Sequence, residues 1–182
     1  VPLMLEKEGM AENVISKLKL EEQVHPVELE DWKDLVKKIK GRDHSVTVGI
    51  VGKYVELPDA YISIAESFTH AGIANNTEVE IEYIYAEELE DCETVHEKLA
   101  DLDGILVPGG FGDRGIEGKL EAVRYARDND IPYFGICLGM QCAVIEFARN
   151  VLDLEEANSS EFDPSSPDPV IALMPDQHDV ED

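Results

Sequence analysis

Positive charge is what this sequence has least of: fifteen lysines and arginines stand against forty aspartates and glutamates, a formal net charge of −25. A surface of that sign repels phosphate backbones and anionic lipid, which disfavours nucleic acid and membrane as partners. Cysteine is scarce as well. Cys92, Cys137 and Cys142 form no C-x-x-C pair and are too few for a disulfide framework, which points to a reducing compartment. No run approaches the ~18 apolar residues of a membrane span, and Val1–Met10 has neither the basic nor the apolar part of a signal peptide. A cytoplasmic location is therefore expected. The histidines, His25, His44, His70, His96 and His178, are scattered, with no thiol or carboxylate at metal-ligand spacing, so no metal site is expected.

What is present suffices for a globular core: 43% of the 182 residues are hydrophobic. The acids are spread along the chain rather than gathered in a tail, as for a solvated acidic surface whose self-repulsion is screened by salt. The sequence lacks an initiating Met and stops at Glu181-Asp182 after a polar stretch, so a fragment of a longer protein is expected.

Residues 1–44 carry short amphipathic patterns; Leu29, Trp32, Leu35, Val36 and Ile39 fall at helical spacing and predict one apolar stripe facing a body. At Ser45 the texture changes to the β-branched run Val46–Gly52, and the domain boundary is placed there: 1–44 a helical linker, 45–182 the main domain. A helix is expected from Asp59 to about Ala74, a strand over Val79–Tyr85 and a weaker helix over Val95–Leu99. The buried strand Gly104–Val107, a glycine-rich loop over Pro108–Gly115, a helix over Glu117–Arg127, the strand Ile131–Ile136 and a helix over Leu138–Arg149 follow. Beyond Asn150 the chain is polar and Pro-rich, with one strand-like piece, Val170–Leu173. Strands alternating with helices predict an α/β fold with a mostly parallel sheet covered on both faces and a site at the carboxyl ends of its strands.

Those ends carry the chemistry. Gly135-Ile136-Cys137-Leu138-Gly139 has the form of a nucleophile elbow, a sharp strand-to-helix turn whose flanking small residues let strand and helix pack closely. The alternative for Cys137 is a buried core thiol. Cys142, five residues on, points well away from Cys137 around a helix and is expected in the core. Pro108-Gly109-Gly110-Phe111-Gly112 follows a strand and leaves backbone N–H groups free to form an oxyanion hole.

Two nucleotide-like patterns fail on context. Gly110–Gly115 satisfies G-x-G-x-x-G, but the acidic residue some twenty positions on, Asp130, precedes the next strand instead of ending it. Gly118-Lys119 is followed by Leu120, which offers no hydroxyl to magnesium, and Lys119 is read as a solvated helix residue. No histidine follows the elbow in a His-x-Glu arrangement, and His178 in the terminal polar stretch is not taken as the general base.

Pro108–Gly112, Gly135–Gln141 and Ala157–Phe162, with Val51–Tyr54 and Glu56–Tyr61 before them, together resemble the class I glutamine amidotransferase domain of the CTP synthase family. The resemblance covers essentially the whole chain and implies a flavodoxin-like fold, incomplete at its carboxyl end. It implies Cys137 as nucleophile, the N–H groups of Gly110 and Leu138 as oxyanion hole, and Gly110, Phe111, Gln141 and Glu161 as glutamine-binding residues. The family's His-x-Glu pair lies beyond the end of this chain, so the chain alone is expected to be nearly inert as a glutaminase. The family further implies a separate synthetase domain using ATP and Mg2+ to aminate UTP, GTP as allosteric effector, and a homotetramer. A binding fragment whose elbow is only a relic, or another Cys-elbow amidotransferase, are the alternatives; Val51–Tyr61 and the Glu161 segment favour CTP synthase.

Overall fold

A computed structural model describes residues 1–174, apart from Pro26, Pro58 and the side chain of Cys92; His178 lies outside the described residues. Two compact units are present, one of residues 1–45 with 68–78, the other of residues 46–67 with 79–182.

The first unit carries helices α1 (Pro2–Lys7), α2 (Met10–Leu18) and α3 (Glu30–Lys40). Helix α3 forms because its charges suit the helix dipole: Glu30 and Asp31 occupy the first turn, Lys37, Lys38 and Lys40 the last. Its expected stripe is only partly covered. Leu35 and Val36 are half-buried, whereas Trp32 and Ile39 stay exposed. The Asp34–Lys37 pair at 2.9 Å is exposed, and it holds Asp34 below the usual carboxylate range, chiefly through the hydrogen bond from Lys37.

Further along lie β1 (His44–Gly52), α4 (Ile62–Ala74), β2 (Thr77–Tyr85), α5 (Cys92–Leu99), β3 (Gly104–Val107), α6 (Ile116–Asp128), β4 (Tyr133–Gly135) and α7 (Leu138–Asn150). The strands form one sheet in the order β2-β1-β3-β4, with β1–β3 and β3–β4 parallel. Val48 lies opposite Gly104, and Val107 opposite Gly135. All four residues of β3 are buried, which is why this strand reads as an unbroken apolar run. Burial of side chains such as Ile105 and Val107 contributes about 1.5–3 kcal/mol each.

One core cluster gathers Val107 and Ile105 with Leu89, Leu99 and Ala122; the other gathers Ile116, Leu120 and Val123 of α6 with Leu138, Cys142 and Ile145 of α7. The apolar spacing of α6 and α7 dictates this packing. Its polar counterpart is Glu146 of α7, 2% exposed, which accepts from Nε and Nη2 of Arg127 on α6 at 3.1 and 2.8 Å. The Asn150 amide donates to the same carboxylate at 3.1 Å. Arg127→Ala leaves that buried charge with Asn150 as its remaining side-chain donor, and a loss of about 2 kcal/mol is expected in urea unfolding. An unchanged midpoint would show the pair to be energetically idle.

The expected elements recur with shifted ends: the helix predicted from Asp59 starts at Ile62, and the strand predicted over Ile131–Ile136 is only Tyr133–Gly135. Beyond α7, Asn158–Ser159 (β5) pairs in parallel with Pro169–Ile171 (β6), a two-strand ladder of which the sequence marked only the second member. On α7 Met140, Val144 and Phe147, with Val151 just past the helix end, stay exposed along one stripe, as does Phe134 of β4.

Candidate functional site

Three strand ends meet here. The end of β1 is set by Tyr61, buried, whose hydroxyl accepts the N–H groups of Lys53 and Tyr54, both at 3.1 Å. Lys53 extends its ammonium to the carbonyl of Phe111 at 3.3 Å and so ties this end to the glycine-rich loop after β3.

Cys137 follows β4 and caps α7, with φ 52° and ψ −105°, a backbone conformation that side-chain-bearing residues rarely adopt. The turn is locked from both sides. Ile136 N–H donates to the Val107 carbonyl at 2.9 Å, and the helix begins with Gln141 N–H on the Cys137 carbonyl at 3.1 Å. The flanking glycines are required by packing: a Cβ on Gly135 would run into the Gly139–Met140 backbone, and one on Gly139 into the Val107 carbonyl. Tyr133 braces the first turn of α7, donating its hydroxyl to the Gly139 carbonyl at 2.7 Å; burial raises its phenol pKa well above the usual value, so it remains a donor.

The glycine-rich loop lies directly against the elbow. A Cβ placed on Gly109 would stand 3.4 Å from Cys137 Cβ, and one on Gly110 3.5 Å from Leu138 Cδ2. Cys137 is exposed, Gly110 and Gln141 are half-buried, and Phe111 and Glu161 are exposed. Leu138 opens α7, where the helix supplies no acceptor for its N–H. A thiol at such a turn, with the Gly109–Gly110 backbone beside it, can attack a carbonyl carbon. Among the described residues no hydrogen bond or ion pair joins a histidine to Cys137, and the ring of His96 partners the Tyr125 hydroxyl at 3.1 Å.

The expectation for Cys142 agrees with its burial in the core, which pushes its thiol up to about 11. The reading of Lys119 as solvated is corrected: it is 3% exposed, and burial lowers its pKa. Helix α6 passes so close to the segment 86–90 that a Cβ on Gly118 would collide with the Ala86 carbonyl. Tyr133 escaped the sequence reading; a polar-tipped aromatic two residues before the elbow glycine was the available signal.

The family model described as glutamine amidotransferase class-I matches residues 56–167. The chain is 59% identical over its full length to a CTP synthase of Clostridium acetobutylicum and 54% identical to one of Methanococcus aeolicus, spanning 34% of each. It thus covers about a third of the length of the curated relatives it matches. A solved structure, the glutaminase domain of Trypanosoma brucei CTPS with bound acivicin, superposes with a TM-score of 0.68 at 45% identity, over 72% of this chain and 51% of that one.

Proposed function

The chain belongs to the class-I glutamine amidotransferase family, and from that premise we propose that it releases ammonia from glutamine for the ATP-dependent conversion of UTP to CTP by the longer protein that carries it. The contact of the Gly109–Gly110 backbone with the Cys137–Leu138 turn carries this reading.

In the mechanism the Cys137 thiolate attacks the carbon of the glutamine side-chain amide. The carbonyl π electrons move to oxygen, where the N–H groups of Gly110 and Leu138 receive the negative charge. Collapse expels the amide nitrogen, which leaves as ammonia after gaining a proton, and a glutamyl thioester remains. Water then attacks the thioester, and glutamate leaves as the thiol is restored. Gly110, Phe111 and Gln141 hold the substrate, and Glu161, whose carboxylate has no partner among the described residues, accepts its α-ammonium. The general base comes from outside the described residues.

Amination of UTP with ATP and Mg2+ is assigned to the synthetase domain, in the part of the relatives' length that this chain does not span. GTP as effector, a homotetrameric assembly and a cytoplasmic location are proposed on the same likeness. No described helix is long and apolar enough to cross a membrane.

The test supplies the full-length protein with UTP, ATP and Mg2+ and either glutamine or ammonium salt. Glutamine is expected to support CTP formation with one glutamate released per CTP, and ammonia to replace it. Glutamate release without CTP, or CTP from ammonia only, would refute the proposal.

A further inference from the structure

The turn carrying Glu161 is fastened to the helix that starts after Cys137, but at that helix's far end. Arg149 stands in the last turn of α7, about 18 Å along a helix axis from Cys137 at ~1.5 Å per residue. Its Nε donates to the carbonyl of Ala157 at 2.7 Å, and its Nη1 to both carboxylate oxygens of Glu117 at 3.3 Å. Ala157 is fully buried, so this bond is sheltered from competing water.

From Ala157 a short series of bonds leads to Glu161. Ser159, 1% exposed, gives its N–H to Asn158 Oδ1 at 2.9 Å and accepts the Glu161 N–H on its hydroxyl at 3.2 Å. Its carbonyl accepts the N–H groups of Phe162 and Asp163 at 3.0 and 2.9 Å. Phe162 packs against the cluster that contains Leu138, Cys142 and Ile145, which joins the turn to the body of α7 as well. One helix therefore fixes both the thiol and, through its other end, the carboxylate proposed to select the substrate.

We propose that Arg149 is a positioning residue for glutamine recognition, holding Ala157 so that Ser159 places Glu161 against the α-ammonium of the substrate. This rests on the reading of Glu161 given above. An arginine that only stabilised the fold would weaken all reactions of the site alike; one that places Glu161 acts on substrates bearing an α-amino group.

The full-length protein carrying Arg149→Lys, and separately Ser159→Ala, is to be assayed with glutamine and with its analogue lacking the α-amino group. KM for glutamine is expected to rise about tenfold with kcat changed less than about twofold, and the preference for glutamine over the analogue to fall by about the same tenfold. Ammonia-driven amination should match wild type. An unchanged preference in both variants, including one accompanied by a general loss of activity, overturns the positioning role while wild-type discrimination leaves the function of Glu161 standing. A wild-type protein that does not discriminate between the two amides overturns the Glu161 reading and this proposal with it.

Discussion

Replacing Cys137 with alanine is expected to lower glutamine-dependent amination by the full-length protein at least about 10³-fold while leaving ammonia-dependent amination within about twofold of wild type. The reason is chemical. Cys137 is the exposed thiol at the junction of β4 and α7, its Cβ next to Gly109, and it is the group proposed to accept the glutamyl chain. Ammonia enters after that step and bypasses it, so its rate reports on folding and assembly. A parallel fall in both rates would mean that the substitution damages structure; full glutamine activity would remove Cys137 from the mechanism. Cys142→Ala is the matched control, since that thiol is buried between α6 and α7.

Gly139→Ala carries the second large effect, a loss of about 3 kcal/mol or more of unfolding free energy. Intrinsic helix propensity argues the other way, favouring alanine inside α7 by about 1 kcal/mol. Packing decides the sign. The added methyl would meet the Val107 carbonyl and stand 3.0 Å from Val107 Cβ, and Val107 is fully buried in the middle of the sheet. That same carbonyl accepts Ile136 N–H, so any retreat of the helix also loosens the turn bearing Cys137. Urea titration followed by circular dichroism measures the change. A midpoint equal to wild type, or higher, would mean that α7 is free to move off β3.

These two positions were also the most legible in the sequence, and for one reason. Where a strand turns into a helix around a nucleophile, close backbone packing leaves few residue types that fit, so Gly135, Cys137 and Gly139 announce the geometry themselves. The all-buried β3 was equally plain, because both faces are covered and the strand is apolar throughout. Lys119 was misread because lysine is almost always solvated; its burial is a tertiary fact that local pattern does not encode. The contacts of Arg149 and Ser159 were hidden for the same cause, although Ser159 lies in the Ala157–Phe162 segment that carries the family resemblance. One bonds a backbone carbonyl eight positions on, the other an amide within an irregular turn, and neither contact leaves a period or motif. The β5–β6 ladder spans too few residues to alternate.

The central claim, that Cys137 sits in a formed glutamine site, is tested most directly by treating the protein with a diazo-ketone analogue of glutamine and locating the adduct by peptide mass spectrometry. Cys142 is an internal reference, because a thiol pushed up to about 11 is almost wholly protonated at neutral pH. A single adduct on Cys137, suppressed by excess glutamine, is the predicted result. Equal labelling of Cys137 and Cys142, or labelling of Cys137 that glutamine does not slow, would contradict it.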